Sequence, residues 1–65
     1  MEDNKLTIKQ WRMLHDMSQE ELAQKLNVHA NTIRNWEQNS LSMQVGDALK
    51  IAEVFGISME KIFFE

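Results

Sequence analysis

Sixty-five residues with a formal net charge of -3, no cysteine, no proline and two glycines make at most one small domain, which buries only about 60% of its unfolded surface. The missing cysteines exclude a disulfide framework and a thiolate metal site, and every apolar run falls short of the ~20 residues that span a bilayer. The N-terminal "MEDNKL" lacks a signal peptide's basic start and apolar core, so a soluble, cytoplasmic protein is expected.

Glu, Lys, Gln, Leu, Met and Ala, all tolerant of the helical backbone, dominate the composition and predict an all-α fold. No repeat, low-complexity tract or linker divides the chain, so residues 1–65 read as one unit with a frayed first five residues. Thr7 and Gln10 form a T-x-x-Q capping box, and Ile8, Trp11 and Leu14 recur at helical spacing, which predicts a first helix over about 7–15. Asp16 and Met17 break it. Ser18 and Glu21 then give a second capping box ahead of Leu22, Ala23 and Leu26, for a helix over about 19–26.

Asn27 is suited to the left-handed conformation in which helices often end, and Val28 turns inward. From about 29 to 38 a third helix places Ile33 and Trp36 on one side and Ala30, Asn31, Arg34, Asn35 and Gln38 on the other. That outer stripe is polar yet almost uncharged. After "NSLSMQ", the residues Val45, Ala48, Leu49, Ala52 and Phe55 define a fourth helix that Gly56 ends, and Ser58 caps a last turn or two, "MEKIFF". Five helices with short connections predict a small orthogonal bundle.

This ordered set resembles the Cro/CI-type, or XRE-family, helix-turn-helix domain across residues 6 to 64, with the motif itself over about 19–38. Gln19 stands at the family's opening glutamine, Ala23 at the small residue where two helices cross, and Asn27 at the usual turn glycine. Val28, Ile33 and Trp36 match its inward positions, and "ALKIAEVFGISMEKIF" is similar to its last two helices. The resemblance implies a five-helix, lambda-repressor-like bundle that lays its third helix in the major groove of double-stranded DNA, while the second rides on the phosphates. A large residue at Ala23 would push that third helix out of register.

The base-reading candidates are Asn31, Arg34 and Asn35, because asparagine bonds adenine N6 and N7 and arginine bonds guanine O6 and N7. Arg34 has a phosphate contact open to it as a second role. Ala30 either touches a thymine methyl or does nothing, and His29, at a helix start that disfavours the imidazolium, reads as a neutral contact rather than a pH switch. His15 reads as surface or half-buried. Phosphate candidates are Ser18, Gln19, Thr32, Gln38, Asn39 and Ser40. Trp11 and Trp36 fall on inward stripes and are expected in the core rather than as stacking platforms.

Net acidity is the obvious objection, but residues 22 to 46 hold a single acid, Glu37, against Lys25 and Arg34. The resemblance pairs Glu37 with Arg12 as a structural ion pair. Remote carboxylates still weaken long-range attraction, and the loop "NSLSMQ" carries no cation, so about 3 to 5 released counterions per subunit are expected, at about 0.9 of salt slope each.

Phe63 and Phe64 cannot both turn inward from one turn, and the family commonly dimerises near its C-terminus. Met59, Ile62, Phe63 and Phe64 are therefore the expected homodimer surface, with Ile62 also able to finish the core. The chain carries no paired nucleophile and base, no phosphate-cradling glycine loop and no His-x3-His spacing, so no catalytic residue, metal, cofactor or small-molecule ligand is expected. The expected function is a sequence-specific, dimeric DNA-binding regulator, a repressor of bacterial or phage type. Its rival is a protein-binding module of antitoxin or adaptor type on the same fold.

Overall fold

The computed structural model describes residues 5–64, so residues 1–4, and with them most of the expected frayed N-terminus, lie outside the described part. Four α-helices, α1 (Ile8–Leu14), α2 (Gln19–Leu26), α3 (Ala30–Gln38) and α4 (Val45–Phe55), are joined by short turns. Three-residue 3-10 turns at Ser40–Ser42 and Met59–Lys61 complete the described chain. The expected fifth helix is thus only a single turn. Its chain becomes extended at Ile62, which pairs with Leu6 in a parallel bridge.

Both predicted capping boxes form. Thr7 and Gln10 satisfy each other's backbone N–H groups at the start of α1, and Ser18 and Glu21 do the same for α2, which answers two otherwise orphaned donors per helix. Three of the helices also end by one device. The residues in left-handed conformation are Asp16 (φ 53), Asn27 (φ 60) and Gly56 (φ 69). After each, the next N–H bonds back to a carbonyl five residues earlier: Met17 to Arg12, Val28 to Ala23 and Ile57 to Ala52. In each case the residue that follows is apolar and packs on the core, the hydrophobic half of a Schellman-type ending.

Ile8, Leu22, Ile33 and Ile51 are the large side chains fully enclosed at the centre. Ala23 is buried where α2 meets α3, and these two helices make the most extensive helix contact of the bundle. Trp36, Ala52, Phe55 and Ile62 close the core, while Trp11 is half-buried and donates its indole N–H to the Lys61 carbonyl at 3.0 Å. With Leu6 N–H bonded to that same carbonyl and Phe63 N–H bonded to Leu6 O, the C-terminal turn is strapped across the start of α1.

Three expected inward positions face outward. Leu14 is exposed, and Val45 and Leu49 of α4 are 66% and 50% exposed. Ala48, Ala52 and Phe55 are buried as expected, and Ile51 joins them. Helix α4 carries an apolar arc wider than the contact it makes, and the part left over faces solvent. Among the described residues no helix is long and apolar enough to cross a membrane.

Candidate nucleic-acid interface

Helix α3 turns Ile33 and Trp36 into the core and leaves Asn31, Arg34, Asn35 and Gln38 exposed. His29 is the N-cap in extended conformation, exposed, with no side-chain cap bond. Ala30 is half-buried and packs against the core, so its methyl supports the start of the helix more than it projects from it. Thr32 is also half-buried, and Asn39 is exposed.

The arginine and the first asparagine are joined: Arg34 Nη1 donates to Asn31 Oδ1 at 2.6 Å. Three residues apart on one helix, they lie on the same face.

Behind this face, Glu37 points inward and accepts from Arg12 Nε at 2.6 Å and Nη2 at 3.3 Å, and from Gln19 Nε2 at 3.0 Å. Arg12 also donates to the Met17 carbonyl at 2.9 Å. The two charged side chains are only 12% and 6% exposed, so the charge of the one acid in residues 22 to 46 is met within the molecule. The network ties α1, the α1–α2 turn, the first residue of α2 and α3 together. It fixes the angle at which α3 presents its outer face.

Two expected phosphate contacts are corrected by this arrangement. The Gln19 carboxamide is turned to Glu37, and the exposed start of α2 presents the N–H groups of Gln19 and Glu20 and the Ser18 hydroxyl beside the exposed carboxylates of Glu20 and Glu21. Ser40, at 6% exposure, is buried in the 3-10 turn and is not a surface contact. Nothing in the sequence around these two residues signals their partners, because both contacts are set by tertiary packing.

The expected dimer residues divide as well. Ile62 is buried within the subunit and belongs to the core, whereas Phe63 is exposed. Met59 and Phe64 line a shallow groove of about 280 Å³ together with Ser40, Leu41, Met43, Val45 and Ala48. Leu41 and Val45 line this groove and are 71% and 66% exposed, and Leu49, one turn past Val45 on α4, extends them into an exposed apolar stripe beside it. The presence of two apolar stripes on α4 was the available signal.

A helix-turn-helix family model, of XRE type, matches residues 8–62. An uncharacterized HTH-type transcriptional regulator of Methanocaldococcus jannaschii is 41% identical over 56 residues, covering 86% of this chain and 85% of the relative. A second, from Archaeoglobus fulgidus, is 39% identical over 56 residues, 86% of this chain and 79% of the relative. Both are archaeal, which gives no support to the bacterial or phage origin drawn from the resemblance. No solved structure matches the chain. The chain belongs to the XRE-type helix-turn-helix family of DNA-binding transcriptional regulators.

Proposed function

We propose that the protein is a sequence-specific repressor that acts in the cytoplasm as a homodimer, each subunit laying α3 in the major groove of double-stranded DNA. The observation that carries this is the outer face of α3: Asn31, Arg34 and Asn35 are exposed, and the one acid of α3 itself, Glu37, is turned inward against Arg12 and Gln19. Amides and a guanidinium match base edges. Ser18, Thr32, Gln38, Asn39 and the N–H groups at the start of α2 flank them as phosphate contacts. Occupancy of a promoter is enough to repress it.

Few cations line this face, so binding depends on salt only moderately. A slope of log K against log salt of about -2.7 to -4.5 per subunit is expected from about 3 to 5 neutralised phosphates. Retention on mixed genomic DNA across a salt series measures it, and a chain that is not retained even at low salt would favour the protein-binding module.

The apolar stripe supports the dimer. Leu41, Val45 and Leu49, 71%, 66% and 50% exposed, form with the groove beside them an apolar patch of the kind that marks an interaction surface, with few side chains against the roughly 20–30 residues each partner gives to a standard interface. Such a dimer is weak when free and is completed on DNA. The patch starts at the turn that follows α3, and subunits of 35 × 24 × 18 Å joined there are of a size to set two copies of α3 about one DNA turn, ~34 Å, apart.

Val45→Asp tests this surface, because an aspartate in the first turn of α4 suits the helix dipole while spoiling an apolar contact. It is expected to weaken binding to a two-fold symmetric site roughly tenfold or more, leave half-site binding unchanged, and remove self-association in sedimentation equilibrium. Unchanged self-association would place the interface elsewhere.

A further inference from the structure

We propose that Asn31 is a positioning residue for Arg34, so that the two side chains read one guanine together instead of Asn31 reading an adenine alone; this rests on the DNA-binding function proposed above. The atom of Asn31 that meets Arg34 Nη1 at 2.6 Å is the carboxamide oxygen. A guanidinium has no acceptor, so only the oxygen can hold that place.

An asparagine that recognises adenine uses both ends of its carboxamide: the oxygen accepts from N6 and the nitrogen donates to N7. Here the oxygen faces a cation on the same helix face. An adenine brought to it would push its N6 amino group against guanidinium N–H groups, donor against donor.

What the pair offers outward is therefore donors only: the remaining guanidinium N–H groups and the carboxamide NH2. The complementary edge is guanine, with N7 and O6 both acceptors, flanked by a second keto oxygen from guanine or thymine. The bond also removes rotational freedom from Arg34 before DNA arrives. A long side chain that must be immobilised on binding loses affinity, and one already held loses less. Asn35 lies on the same exposed stripe outside this pair and takes the adenine-type contact.

Selection of bound sites from random-sequence duplex DNA, run on the intact chain and on Arg34→Ala, Asn31→Ala and Asn31→Asp, tests the pairing. Both positions are exposed, and circular dichroism checks that each variant folds. Arg34→Ala is expected to lose preference for one guanine roughly 10- to 100-fold. Asn31→Ala weakens the same guanine roughly two- to tenfold, relaxes the flanking keto preference, and removes no adenine position. Asn31→Asp, whose carboxylate still accepts from the guanidinium, keeps it.

The pairing is overturned if Asn31→Asp converts an adenine position to cytosine, whose N4 a carboxylate would accept from, while the guanine stays fixed. It is equally overturned if Asn31→Ala leaves the guanine preference untouched. An unmodified chain that selects no sequence at all overturns the DNA-reading function and the pairing with it, whereas the adenine-to-cytosine change overturns the pairing alone.

Discussion

Glu37→Ala is expected to lower stability by about 3 to 5 kcal/mol, because it strands the Arg12 guanidinium in a site that excludes most solvent. A 65-residue domain has only about 3 to 10 kcal/mol in total, at 0.05 to 0.15 per residue. The variant should therefore be largely or partly unfolded at 25 °C. The loss is not that of a surface ion pair, which is worth at most about 1 kcal/mol: Arg12 and Glu37 are 12% and 6% exposed, and Gln19 loses its acceptor as well. Glu37→Gln, which keeps the shape and an acceptor oxygen, should lose less. Arg12→Met with Glu37→Leu should recover most of the stability, since an apolar pair of similar volume needs no compensating charge. Urea denaturation of the four proteins gives the order directly. With about 4 to 8 °C of melting temperature per kcal/mol in a domain of this size, a Glu37→Ala variant that melts within 5 °C of the parent, on that same scale, would show that the network contributes little.

Arg34→Ala combined with Asn35→Ala is expected to leave the fold intact and to erase operator preference. Both side chains are exposed on α3, and surface changes away from caps and networks cost within about 0.5 kcal/mol. Each base-reading side chain supplies roughly 1 to 3 kcal/mol of discrimination, so the ratio of cognate to scrambled binding should fall by roughly a hundredfold or more. Non-specific affinity should fall far less, with the salt slope reduced by about 1 if Arg34 also neutralises a phosphate. Competition binding at fixed salt separates the two effects. A double variant that still prefers its cognate site would move sequence reading off α3.

How far the fold could be read from the chain depended on how local each signal was. Capping boxes at Thr7 and Ser18, and the left-handed residue at Asn27, are settled by neighbours within five positions, and the structure has all three. Periodicity alone could not choose between the two apolar stripes of α4, because Val45 and Leu49 fit a helical repeat as well as Ala48 and Ile51 do. Which stripe is buried depends on what α4 packs against, and those partners lie far away in the sequence. The shortened C-terminal turn has the same origin: Ile62 leaves helical geometry to pair with Leu6, more than fifty residues earlier. At the candidate interface, helical spacing was enough to place Asn31, Arg34 and Asn35 on one exposed face. The partner of Arg34, three residues earlier on the same helix, lay within reach of that same spacing, whereas the side-chain partner of Gln19 and the burial of Ser40 are properties of the folded arrangement and left no mark in the local sequence.

DNA contact through the outer face of α3, flanked by the start of α2, as proposed above, is open to direct measurement. The most direct measurement is a titration of 15N-labelled protein with a selected duplex, followed by amide NMR. The expected result is perturbation concentrated at Gln19, Glu20 and residues 30–35, with a second, smaller set around Leu41, Val45 and Leu49 as subunits come together. Perturbations confined to that apolar stripe and groove, with the amides of α3 unmoved, would contradict the account.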